Sequence, residues 1–148
     1  MKRHNLLWVL ALCTAGLLFD SAGANGPLSV EDAWAMATPP TARNGAVYLV
    51  VEQHGERAAR LIGAASTVAE RTELHTHIMQ DGMMMMRRLD GLEVVPGEPL
   101  TFEPGGHHVM LMGLHHPLTA GQRFPLTLRF ESGGDVQVTV AVRAMGEM

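Results

Sequence analysis

HTHIMQDGMMMMRRLDGLEVVPGEPLTFEPGGHHVMLM, residues 75–112, holds seven of the chain's eleven methionines and four of its eight histidines. Both residue types recur at every second position. Alternate residues of a strand point to one face, so His75 and His77 share a side, as do Met84 and Met86, and so do His108, Met110 and Met112. Within the stretch, Asp81-Gly82 is a two-residue hairpin signal, because glycine takes positive φ freely and aspartate tolerates it. With those two residues as the loop, Gln80 pairs with Met83, Met79 with Met84, His77 with Met86 and His75 with Arg88. That register sets His75 and Met86 diagonally across one face of a hairpin.

Outward from this hairpin the pattern stays that of strands. Upstream, Ser29 to Met36 is strand-like, Pro39-Pro40 interrupts it, and Arg43-Asn44-Gly45 supplies turn chemistry. Gly45 to Glu52, GAVYLVVE, reads as a buried strand, Arg60 to Ala65 as an edge strand, and Val68 to Ile78 leads down to the first histidines. Downstream, Leu92 to Pro96 and Pro99 to Glu103 are short strands. Pro104-Gly105-Gly106 turns the chain into His107 to Gly113, and Pro117 to Gln122 forms a loop. Phe124 to Glu131 and Val136 to Met145 are two alternating strands around Ser132-Gly133-Gly134. Eight or nine short strands without a helix predict an all-β, antiparallel Greek-key β-sandwich.

The N-terminus has the three parts of an export signal: Lys2 and Arg3, the apolar run Leu6 to Phe19, and small residues Ala22-Gly23-Ala24. Residues 1–24 are therefore expected to be a signal peptide cleaved before Asn25, with no stable membrane insertion afterwards. Lipidation at Cys13 is not expected, since Leu12 precedes it where a small residue is wanted. The remainder, residues 25–148, has the size of a single domain with one core.

Beyond residue 24 there are nine arginines, fourteen acidic residues, no lysine and no cysteine. A net negative chain offers no basic footprint for nucleic acid. Without thiolate, neither a blue-copper site nor a binuclear copper centre of the oxidase kind can form. Imidazole and thioether together suit monovalent copper and not magnesium, calcium or manganese, which prefer oxygen donors. No GxSxG motif or phosphate-binding glycine loop is present, and carboxylates near the site are sparse, so no enzyme chemistry is expected. A methionine in a strand is ordinarily a core filler. Met83 and Met85 are the core candidates of the methionine run, His107 is expected to be exposed, and His115-His116 to lie in a solvated loop.

The spacing of His75, Met86, His108 and Met110 resembles the H-x₁₀-M-x₂₁-H-x-M signature of the PCuAC family of periplasmic copper chaperones. Glu73-Leu74-His75, Pro104-Gly105-Gly106 and His108-Val109-Met110-Leu111-Met112-Gly113-Leu114 are similar to the same family. The resemblance runs from about Val30 to Met145. It implies a cupredoxin-like β-sandwich, one Cu(I) held by those four residues in a monomer, and a periplasmic location. It also implies delivery of copper to the CuA site of cytochrome c oxidase or to another copper assembly factor. His77, Met84 and Met112 are the substitute ligands. A copper scavenger or storage protein would need the same site without a specific acceptor. An electron carrier would need a site suited to both oxidation states, which two thioethers disfavour.

Overall fold

A computed structural model describes residues 27–132 and 134–147. The expected signal peptide and Cys13 lie outside them. The described residues form ten strands: β1 (Leu28–Met36), β2 (Asn44–Gln53), β3 (Ala59–Ala65), β4 (Ala69–Gln80), β5 (Met83–Leu89), β6 (Leu92–Val94), β7 (Leu100–Phe102), β8 (His108–Leu114), β9 (Arg123–Phe130) and β10 (Asp135–Arg143).

Hydrogen bonding runs in the order β5-β4-β8-β2-β1-β10-β9-β3-β6, with β7 also on β2. The two halves of this path supply opposing sides of one core. Val47, Leu49, Leu74, Val109 and Leu111 come from the β4-β8-β2 half, and Leu61, Leu126, Leu128 and Val140 from the β10-β9-β3 half; all are essentially inaccessible. The period-two alternation in β2 is the local cause: Val47, Leu49 and Val51 turn inward, while Ala46 and Tyr48 are only partly covered. Burial of this apolar set is the main favourable term for the fold.

Every ladder is antiparallel except β1 with β10, where Trp34 faces Ala141 and Met36 faces Arg143 in parallel. A register shift between Glu31 and Trp34, with Asp32 at φ 50°, precedes that contact. A bulge of this kind bends the strand, and beyond it Trp34 and Ala35 pair with β2 on one side and β10 on the other.

Two expectations for the strands are corrected. β3 is not an edge, because it pairs with both β9 and β6. Met83 and Met85 are not core: they are 64% and 44% exposed, and Met84 and Met86 are 61% and 53% exposed. β5 is the last strand of the path and bonds only to β4. Met83 to Arg88 are exposed on both faces of it, so alternation there selects a side without selecting burial.

Candidate metal centre

The hairpin forms with the register read from Asp81-Gly82. Asp81 and Gly82 have φ of 51° and 76°, and the pairs are Gln80 with Met83, Met79 with Met84, His77 with Met86 and His75 with Arg88. On its other side β4 pairs with β8, which sets His75 opposite His108 and Glu73 opposite Met110. β8 in turn pairs with β2, setting Met110 opposite Ala46 and Met112 opposite Asn44. Since directly paired residues share a face, His75, His77, Met84, Met86, His108, Met110 and Met112 all lie on one face of a four-strand surface. It is the face turned away from the core.

A cleft of about 260 Å³ opens there, lined by His77, Met86, His108 and Met110 together with Asn44, Gly45, Ala46 and Tyr48. Three of the four expected ligands are among its walls. His75 is adjacent to the cleft without lining it, and His77 occupies the corresponding wall. The His108 ring stands between the other two, with centroids 5.8 Å from His75 and 5.1 Å from His77. Among the described residues no three His, Cys, Asp or Glu side chains already converge on a metal position. Any ion in the cleft would therefore be held by a mixed set of imidazole and thioether.

Hydrogen bonding assigns the imidazole tautomers. His108 is 3% exposed, and its Nδ1–H donates to the Gly106 carbonyl at 3.2 Å. This leaves the Nε2 lone pair unprotonated, and burial holds the His108 pKa below the ordinary histidine value, so the ring is kept neutral. The His75 Nε2–H donates to Glu73 Oε2 at 2.9 Å, which leaves Nδ1 as the lone-pair nitrogen. That His75 Nδ1, and the Nδ1 of His77, are buried and have no hydrogen-bond partner among the described residues. Buried polar atoms without partners are uncommon and call for an explanation such as an ion.

Glu73 corrects the expectation that carboxylates are sparse at the site. Its hydrogen bond to His75 is the largest cause of a carboxyl pKa below the usual range, and the Arg88 and Arg71 guanidiniums, 3.9 and 4.0 Å away, act in the same direction. Alternation along β4 already put Glu73 on the His75 face, so the signal was present. His107 is a second correction: it is half-buried, its ring centroid lies 5.9 Å from that of Phe102, and its Nδ1 has no partner among the described residues. Tyr48, read from the sequence as part of a buried strand without a role, forms part of the cleft wall, with its ring tilted 43° to that of Trp34 at 4.8 Å between centroids. Its burial raises the phenol pKa. His115 and His116 are exposed, as expected.

Fold and side chains together define a cupredoxin-like β-sandwich with a histidine–methionine cleft on its outer face. The sequence profile of the family described as "Putative lipoprotein LpqE-like" matches residues 28–142. The chain belongs to this family, which is of the PCuAC type. Among curated relatives, "Putative lipoprotein Lxx21020" of Leifsonia xyli subsp. xyli is 37% identical over 94 residues, which are 63% of this chain and 57% of that protein. The chain spans little more than half the length of the curated relatives it matches. Similar solved structures include the copper-bound PCuAC domain from PmoF2, at 28% identity and a TM-score of 0.69, covering 82% of this chain and 96% of that one. The Cu(I) form of DR1885 from Deinococcus radiodurans is 33% identical with a TM-score of 0.65, covering 82% of this chain and 83% of that one.

Proposed function

We propose that this protein is an exported, non-enzymatic Cu(I) metallochaperone that works as a monomer in the periplasm. Its ion is held by His75, Met86, His108 and Met110 and is passed to the CuA-bearing subunit of cytochrome c oxidase or to another copper assembly factor. The observation that carries this reading is the chemistry of the cleft: imidazole nitrogens, that of His108 kept neutral by burial, beside two thioethers, and no thiolate. Cu(I) is soft and accepts such donors, and thioethers cannot be lost to disulfide formation in an oxidising compartment. Copper-bound forms of two similar structures support copper as the cargo.

The donors differ in burial, and this supports transfer instead of permanent retention. His108 is almost inaccessible and held by Gly106, whereas Met86 is 53% exposed on an edge strand. An ion in the cleft would be anchored at the His108 end and approachable at the Met86 end. A partner's donor can replace Met86 first and draw the ion out by ligand exchange. His75 supplies Nδ1 with its ring fixed by Glu73, a carboxylate–histidine arrangement that holds metal-binding imidazoles in one orientation. His77 is the substitute at that position. The signal-like residues 1–24 support export, and the lipoprotein names of the family and of one relative fit an exported protein.

The test is a competition titration with a Cu(I) chelator, together with copper transfer to candidate acceptor domains followed by mass spectrometry. One tightly held Cu(I), weakened by Met86→Leu, Met110→Leu and His75→Gln, is the expected result, with the apo forms of the two methionine variants melting as wild type. Wild-type affinity in two of those three variants would refute the ligand set. A loaded protein that passes copper to no acceptor would refute the chaperone role.

A further inference from the structure

The β4–β5 hairpin carries five exposed methionines, Met79 and Met83 to Met86, and the cleft uses only Met86. Met79 is 65% and Met84 61% exposed, which removes the usual reason for a methionine, the filling of a core. They face each other directly across the ladder, one step beyond the His77–Met86 pair and on the same face as the cleft. Directly opposed residues hold their Cβ atoms about 4.5–5.5 Å apart, and the diagonal neighbour about 7–8 Å away is still within reach of a long side chain. For Met79 that diagonal neighbour is Met86. The positive-φ residues Asp81 and Gly82 close the ladder one pair further on, after Gln80–Met83, and lock this register.

We propose that Met79 and Met84 form a second, all-thioether site at the hairpin tip that captures a soft monovalent cation from solvent or a donor. The ion passes to the cleft through Met86, which can contact both positions. The tip set has no imidazole and no thiolate, so it favours Cu(I) or Ag(I) over divalent ions and binds independently of histidine protonation. Its exposure makes exchange fast and retention weak, the reverse of the cleft with its buried His108. The proposal rests on the copper reading above only for the identity of the natural cation; the tip geometry stands by itself. Methionine-rich surfaces also serve as adaptable protein contacts. A contact of that kind would leave the tip methionines indifferent to metal.

The experiment is titration of the protein with Ag(I), a redox-inert soft ion, read by the ¹H–¹³C resonances of the methionine methyl groups and by native mass spectrometry. The first equivalent should shift Met86 and Met110, and the second should shift Met79 and Met84. In Met79→Leu/Met84→Leu, whose isosteric changes fall on exposed positions, the second bound ion should disappear while the first binds as before. Loading of the cleft from a Cu(I)–chelator complex should also slow in that variant. A second equivalent that leaves Met79 and Met84 unmoved, or a two-ion species that survives the double substitution, would overturn the proposal without touching the cleft. A first equivalent that shifts only Met79 and Met84 would overturn the proposed order of affinities, in which the tip holds its ion more weakly than the cleft.

Discussion

Glu73→Leu removes the acceptor that holds the His75 ring by Nε2 at 2.9 Å, and with it the preference for the tautomer whose Nδ1 is free. Both side chains are well shielded, 14% exposed for His75 and 16% for Glu73, so the bond is little screened by solvent. A hydrogen bond to a charged group of this kind contributes about 1.5–3 kcal/mol. Arg71 and Arg88 add little, because they sit 4.0 and 3.9 Å from Glu73 and are 67% and 66% exposed. For copper, loss of the partner that orients a metal-binding histidine costs roughly 10–100-fold in affinity. Glu73→Gln keeps an acceptor oxygen and drops the charge, so it should fall between wild type and leucine. The assay is chelator competition for Cu(I) on all three proteins, with melting of the apo forms and ¹⁵N NMR of the imidazoles. Wild-type affinity in Glu73→Leu, with His75 still protonated at Nε2, would refute the role assigned to the carboxylate.

Acid should destabilise the apo-protein in two windows, and both signs follow from lowered pKa values. The His108 contribution is complete above its unfolded value of 6.5 and is lost as pH falls toward the lower folded value, since the unfolded chain takes up the proton first. The Glu73 contribution is complete above 4.5 and is lost at lower pH still. Melts from pH 7.5 downward check this, and an upper window that persists in His108→Asn would remove His108 as its source. Leu111 is fully buried between Met110 and Met112 in sequence but on the opposite face, so Leu111→Ala should cost about 2–5 kcal/mol of stability and leave Cu(I) affinity unchanged while the protein is folded. Denaturant unfolding and chelator competition on the same variant separate the two effects. Mild peroxide should abolish Cu(I) binding by the apo-protein, because a sulfoxide lacks the soft donor, and bound copper should protect Met86 and Met110. Peptide mass spectrometry reads the protection, and equal oxidation of both residues in apo and loaded samples would remove them from the site.

The sequence alone determined the hairpin with its full register and the common face of His75, His77, Met84 and Met86. Those features depend on local rules: two turn residues at positive φ, and strict alternation along a strand. The spacing that matches the PCuAC signature is likewise a one-dimensional property. Tertiary structure decided what alternation cannot express. The four-methionine run obeys a period of two whether or not a second layer covers it, and only the tertiary structure, which leaves β5 exposed on both faces, made Met83 and Met85 surface residues. The interior position of β3 and the parallel contact of β1 with β10 arise from pairings between distant segments. The cleft itself needed such a pairing, since Asn44, Gly45, Ala46 and Tyr48 reach Met110 and His108 only because β2 lies against β8. Strand periodicity fixes which side of a strand a residue faces; which strand lies next to it, and so which donors can share an ion, follows from long-range burial of the core.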